Sequence, residues 1–524
     1  MNWSAAEARR LFGWMFWGTL LLKAVLAAVV PLTGDEAFFL LWGMWPDWGY
    51  SDHPPMVGWW LAVLWRLGEH PAVLRSATLL TTSLIALGIV DLARRTLPAA
   101  DEARAWLAGA IYLALPWSWM FVLVTTDTPL IVFMAASVYA FLRAQQGGRA
   151  PAWYALAGVL VGLAFLSKYF AALLGLAYAV YILGWRRAHW WALPLMFLLA
   201  LPSIALNLVF NATHGWPNIM FNFFNRNEGS QWALSTWLIY LAMAAYLLTP
   251  WLLWQAVRRP QPAVGPAASR VVAVLWLFPM AVFALLAMRR SVGLHWVLGF
   301  VPLFVLWASL RVDPASLRRS LRWTAWLGLP HLLVVLCLVA APLGWWQRTA
   351  LYDKIVFLRH AESVTRALEK DLPPGAVLMA RTYTPAAMFT YFHHRYVPVF
   401  GVARHHARQD DLSVDFRSFD GRPMRIFSPQ PVRAEEFEPY FERVTVTPHE
   451  IYGVRFYAVD GTGFRFEVYR RQVLAEVARQ FYRIPAWLPI VGHPFCERYG
   501  FTACSPPARP VGAAPTPGAR APAN

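Results

Sequence analysis

Long apolar runs, separated by short polar breaks, set the pattern of this chain. The first covers about residues 11–32, behind Arg9 and Arg10. Comparable runs recur at about 72–93, 103–121, 128–142, 152–167, 170–185, 190–210, 235–256, 271–288, 294–310 and 323–345. A bilayer core of about 30 Å takes roughly 20 helical residues, so the pattern predicts a polytopic α-helical membrane protein with about eleven transmembrane helices. The run Met56–Leu67 is shorter and is followed by Glu69 and His70. It predicts a lid or interfacial helix, not a span.

If the spans alternate, the basic clusters at 9–10, 94–95, 186–187, 258–259 and 311–322 fall on one side. The positive-inside bias makes that side cytoplasmic, with the N-terminus there and the C-terminus outside. Lys168 and the pair Arg289–Arg290 break the bias and become candidates for function. After Trp346 the pattern changes: residues 351–482 carry ordinary charge, with strand-like runs at 377–380, 455–459 and 464–468 and a turn signal at Asp460-Gly461. The expected regions are a membrane domain (1–346) with an outer loop (33–71), a small periplasmic soluble α/β domain (347–504), and a disordered Pro/Ala-rich tail (505–524).

Composition supports this division: the 524 residues are 58% hydrophobic and only 14% charged. The net charge of +17 sits mostly in the flanks of apolar runs, so topology explains it and no nucleic-acid partner is expected. No small-residue cleavage site follows the first span, so no cleavable signal is expected. Of three cysteines, Cys337 lies in an apolar run, while Cys496 and Cys504 can pair if that end meets an oxidising compartment.

Candidate chemistry gathers on the outer side. Asp35 and Glu36 follow the first span; they read either as a general base for an incoming hydroxyl or as acidic residues opening the next helix. Asp52-His53 before two prolines reads as a phosphate-orienting or metal-ligating pair, or as a polar turn. Asp127 reads as a second pocket carboxylate or a helix cap. Lys168, Arg289 and Arg290 read as snorkelling to outer-leaflet headgroups one by one, or as together gripping a phosphate. Asn211, His214, Trp216 and His295 suit a sugar pocket or an interfacial belt. Neither a nucleotide-binding glycine loop nor a serine nucleophile elbow is present.

Gly34-Asp35-Glu36-Ala37 with Tyr50-Ser51-Asp52-His53-Pro54-Pro55-Met56 resembles the first outer loop of GT-C integral-membrane glycosyltransferases. The similarity is to glycosyltransferase family 39, with its protein mannosyltransferases, and to the lipid A aminoarabinose transferases. Thr126-Asp127-Thr128-Pro129-Leu130, Leu166-Ser167-Lys168-Tyr169, Asn211 to Trp216 and His295-Trp296 follow in the same order. The resemblance covers the membrane part well and the soluble part loosely. It implies sugar transfer from a polyprenyl-phosphate (undecaprenyl) donor to lipid A or another glycolipid at the periplasmic face of a bacterial inner membrane. Asp35 would be the catalytic carboxylate, Glu36 its neighbour and Asp127 a second acid. Tyr50, Asp52, His53, Lys168, Tyr169, Asn211, His214, Trp216, Arg289, Arg290 and His295 would line the substrates. A divalent metal is left open, with Asp52 and His295 as candidate ligands. Two other readings stand beside this one: the same chemistry on a secreted protein, and a lipid-linked sugar transporter or flippase.

Overall fold

The computed structural model describes residues 4–225, 231–402 and 407–502. Helix α1 (Ala5–Val29) opens with a reciprocal cap between Ser4 and Glu7. A second such cap, Thr33 with Glu36, starts α2 (Gly34–Met44), and α3 (Met56–Trp65) lies against it. A Cβ on Gly43 would lie 2.6 Å from the Leu61 Cβ, so this glycine permits the close approach. One turn, α4 (Pro71–Leu74), leads into α5 (Ser76–Thr96). Then come α6 (Glu102–Ala114), α7 (Pro116–Met120), α8 (Asp127–Gln145), α9 (Ala150–Phe165), α10 (Ala171–Trp185) and α11 (Ala192–Thr213). Five further helices complete the bundle: Leu234–Leu247, Pro250–Arg258, Pro266–Ala287, Val301–Ser309 and Pro314–Ala340.

Six of these segments are individually long and apolar enough to cross a membrane, seven if one bent pair counts as a span. Large apolar side chains remain uncovered along them, including Trp14 (79% exposed), Leu198 (62%) and Leu333 (62%), as lipid-facing positions require. The chain is a multi-pass membrane protein. Two predicted spans are not continuous helices. The run 103–121 breaks at Pro116, and the run 235–256 bends by 85° before Pro250, where Thr249 takes φ +52°. In both cases proline removes a helical donor and ends the preceding helix.

Contacts mark the two ends of the bundle. The guanidinium groups of Arg9 and Arg94 both lie over the Trp106 ring, and Arg104 donates to the carbonyls of Gln261 and Val312. The basic clusters therefore meet at one end of the bundle. At the other end, Glu36 accepts from Val124 N–H, Lys168 pairs with Asp127, and Asn218 donates to the Tyr50 carbonyl.

The C-terminal part is an α/β unit on the Asp35 end. Its sheet comprises β1 (Val377–Ala380), β2 (Met424–Ser428), β3 (Arg443–Ile451) and β4 (Val454–Thr462), in the order β1-β2-β4-β3 with only β1 and β2 parallel. The β3–β4 hairpin turns at Tyr452-Gly453, both at positive φ. The predicted turn at Asp460-Gly461 is instead paired inside β4, where Asp460 binds Arg425. The predicted strand at 464–468 is helical from Phe466. Buried Phe466, Tyr469, Val473, Val477 and Phe481 recur at three- to four-residue intervals, a helical face read too early as alternation. Cys504 and the predicted tail lie outside the described residues.

Candidate active site

The N-terminus of α2 separates its two acids by one residue and by function. As the third helical residue, Glu36 turns back into the protein and is 4% exposed. It binds buried Arg75 in a fork, with Oε1 2.8 Å from Nε and Oε2 2.6 Å from Nη2. Thr33 N and Oγ1 and Val124 N supply three more hydrogen bonds. Arg75 spends its remaining donors on the carbonyls of Ala27, Val30 and Pro31. This pair ties the end of α1, the start of α2 and the 122–124 segment into one unit.

Asp35 points the other way and is exposed. The Tyr383 hydroxyl, at the start of the helix Tyr383–His393, donates to its Oδ1 at 3.4 Å. The Tyr383 ring also meets Phe38 edge-on, with centroids 5.2 Å apart. A Cβ on Gly34 would lie 2.2 Å from Thr384 Cγ2, so only glycine lets this helix sit so close. Burial first, then the negative charge of Asp35 and more weakly that of Asp52, raises the Tyr383 hydroxyl above the usual tyrosine range, so it stays a donor. Beside it, a cavity of about 360 Å³ lies between α2 and the α/β unit, lined by Phe38, Leu41, Arg381, Tyr383, Tyr396 and Asp410. Burial pushes the Asp410 carboxyl up to about 6.

The segment from Tyr50 to His53 closes another wall. Tyr50 stacks flat on Trp42 (4.3 Å, 3°), and its hydroxyl donates to the Trp42 carbonyl while accepting from Asp47 N–H. It is fully buried and works as a strut. Asp52 Oδ2 lies 3.0 Å from His53 Nδ1, and the His53 ring packs edge-on against Phe39. Among the described residues no three His, Cys, Asp or Glu side chains converge. Asp52 and His295 are thus not joined by a third such side chain among the described residues, where a metal takes about three or four.

Asp127 and Lys168 form a buried pair at 2.9 and 3.1 Å. The Lys168 ammonium also lies 5.6 Å from the Phe170 ring centroid; Phe170 packs on Trp296 (4.6 Å), and Arg290 covers Trp296 at 5.3 Å. Two expected cations are thus joined through one aromatic pair, with exposed His295 at its edge (6.3 Å to Trp296). Arg289 instead covers Trp232.

The remaining expected residues go elsewhere. Tyr169 donates to Asn207 and Asn218, and Asn211 joins the same buried amide network. His214 stacks on Phe210 at 4.3 Å, with Nδ1 against the Phe210 carbonyl. Trp216 donates to the Pro489 carbonyl and packs on Ile484 and Leu488, anchoring the C-terminal segment. Sequence reasoning missed Arg75 and Tyr383. Arg75 had a signal, since it stands at the predicted outer end of a span against the positive-inside bias.

Known proteins resemble this chain in one segment of its sequence and in its fold. Residues 52–212 match the dolichyl-phosphate-mannose-protein mannosyltransferase family. The fold is similar to that of ArnT from Cupriavidus metallidurans bound to undecaprenyl phosphate, with TM-score 0.59 and 18% identity, covering 86% of this chain and 98% of that one. Weaker overlaps are found with AglB, the oligosaccharyltransferase of Archaeoglobus fulgidus (TM-score 0.38, 11% identity, 79% and 69% covered), and with EmbB, the arabinosyltransferase of Mycobacterium smegmatis (0.40, 14%, 84% and 46%). No curated protein matches in sequence. The chain has the GT-C glycosyltransferase fold and carries within it a segment matching the mannosyltransferase family.

Proposed function

We propose that this protein is a membrane glycosyltransferase that moves a sugar from undecaprenyl phosphate, or a related polyprenyl phosphate, to lipid A or another acidic envelope glycolipid. In this reading the site faces the periplasm, eleven spans place the C-terminus outside, and the enzyme resides in a bacterial inner membrane. The observation that carries it is the division of labour at α2. Asp35 presents an exposed carboxylate beside Tyr383, which lines the cavity, while Glu36 has its oxygens filled and serves to position it.

The acceptor lies in the cavity beside Asp35, where Phe38, Tyr383 and Tyr396 offer rings to a sugar and Arg381, which pairs with Glu436 through Nη1, offers its remaining N–H groups to an acidic group. Asp35 takes the acceptor proton, or balances the charge developing there, as the acceptor oxygen attacks the sugar carbon. The bond to the carrier phosphate breaks on the opposite face, and the phosphate leaves with the electron pair. Lys168 and Arg290 meet that charge. Asp127 occupies two of the three Lys168 N–H donors and leaves one for phosphate, so Asp127 acts as a positioning residue. Mass spectrometry of membrane lipids from cells with the gene, without it, and carrying Asp35→Asn tests the proposal. A sugar mass present only with the parent gene supports it. Identical lipid profiles in all three refute it.

A further inference from the structure

The end of the bundle opposite Asp35 holds a second site. Helices α5 and α8 begin near Arg75 and Asp127 at the Asp35 end and finish at Arg95 and Gln145. There, a cavity of about 360 Å³ is edged by Arg95, Gln145, Gln146, Tyr181 and Arg186 over an apolar floor that includes Leu92, Val272 and Leu306. Leu92 and Leu306 also line a groove of about 680 Å³ that runs into the membrane region between α5, α8 and α9, past Leu84, Ile89 and Leu160. The polar mouth and the apolar groove share two wall residues, Leu92 and Leu306.

Charge at the mouth is positive. Asp91, the carboxylate beside it, is bound by Arg95 Nε at 2.6 Å and by the Tyr139 hydroxyl at 2.7 Å. Arg186 is exposed and pairs with no carboxylate among the described residues, and Arg270 stands close by over Trp185. The Gln145 Nε2 donates to Tyr154, while its Oε1 is buried and receives no hydrogen bond. A buried acceptor without a donor is destabilising and calls for a hydroxyl or water.

We propose that this site binds one anionic phospholipid of the surrounding bilayer. Its phosphate lies between Arg95 and Arg186, a headgroup hydroxyl donates to Gln145 Oε1, and its acyl chains fill the groove. Positive charge selects an anionic headgroup, and the orphan oxygen favours a headgroup with hydroxyls, as in phosphatidylglycerol. The mouth lies at the end of the bundle away from Asp35, while the groove extends to Ala77 and Trp60 toward it; the proposal does not rest on the sugar-transfer reading.

The test uses full-length protein purified in detergent. Native mass spectrometry should show one retained phosphatidylglycerol, and added phosphatidylglycerol should raise the thermal midpoint where phosphatidylcholine does not. Arg186→Gln, at an exposed position, should cut retention about tenfold, the scale of one charge-assisted contact. Gly88 lines the groove, and a Cβ there meets nothing within 4 Å. Gly88→Phe should therefore fill the groove and expel the lipid with every mouth charge intact. Equal stabilisation by both lipids, or retention unchanged in both variants, overturns the proposal. The lipid titration on the parent protein decides the matter even if a variant folds poorly.

Discussion

Replacing Asp35 by Asn and, separately, Glu36 by Gln puts the division of labour at α2 to a direct test. The two changes are chemically alike and one residue apart, yet the structure assigns them opposite outcomes. Asp35 is exposed and has one long hydrogen bond, from Tyr383 at 3.4 Å. Its amide analogue should alter stability by no more than about 0.5 kcal/mol. Loss of a general base or charge partner should lower turnover by about 10²–10⁴-fold. Glu36 is 4% exposed and its fork partner Arg75 is 1% exposed. Either orientation of a glutamine amide aims a donor at donors: Arg75 Nη2 and Thr33 N on one side, Arg75 Nε and Val124 N on the other. Breaking such a buried pair costs about 3–5 kcal/mol. Purified variants should be compared by thermal unfolding in detergent and by sugar transfer per folded molecule. Asp35→Asn should melt like the parent and be nearly inactive, whereas Glu36→Gln should melt early and keep much of its activity per folded molecule. Asp35→Asn within tenfold of parental turnover would refute the catalytic assignment. Glu36→Gln melting with the parent would refute the energetic argument for the pair.

Tyr383→Phe removes the donor to Asp35 and should lower kcat by about tenfold without moving KM for the lipid donor, as steady-state kinetics would show. Gly34→Ala forces a methyl group to 2.2 Å from stiff Thr384 Cγ2 and should lower both activity and thermal midpoint. Adding Thr384→Ser removes that methyl and should restore much of the loss. Arg290→Gln should raise KM for the polyprenyl-phosphate donor about tenfold, with the thermal midpoint unchanged. Burial lowers the His493 imidazole from 6.5 to about 4. The folded state therefore holds that proton less tightly than the unfolded chain. Stability should be full above pH 6.5 and fall by about 3 kcal/mol as pH drops to about 4. His493→Asn keeps an acceptor for Cys496 N–H and should flatten that slope in pH-dependent melting.

How far the sequence could be read depends on the kind of information each feature carries. Apolar length and flanking charge are local, so the helices and their common ends were legible. The proline breaks at Pro116 and Pro250 were equally local, but the count of apolar residues overrode them. Pairings across long separations left no periodic trace: Tyr383 reaches Asp35 across 348 residues, and Arg75 reaches Glu36 across 39. Residue type leaves two ends open where one chemistry serves both. The amides and aromatics of Asn211, His214 and Trp216 suit a sugar pocket, and they equally serve to bind Asn207, the Phe210 carbonyl and the Pro489 carbonyl. The outer loop supplied several acids of equal standing by sequence, and the fold ranks them by what their oxygens already hold. Glu36 has five hydrogen bonds, Asp127 an ammonium at both oxygens, and Asp52 an imidazole 3.0 Å away. A carboxylate so engaged must give up its partners before it can take a proton from a substrate. Asp35 would give up a single contact at 3.4 Å, so proton transfer costs less there than at Glu36, Asp127 or Asp52.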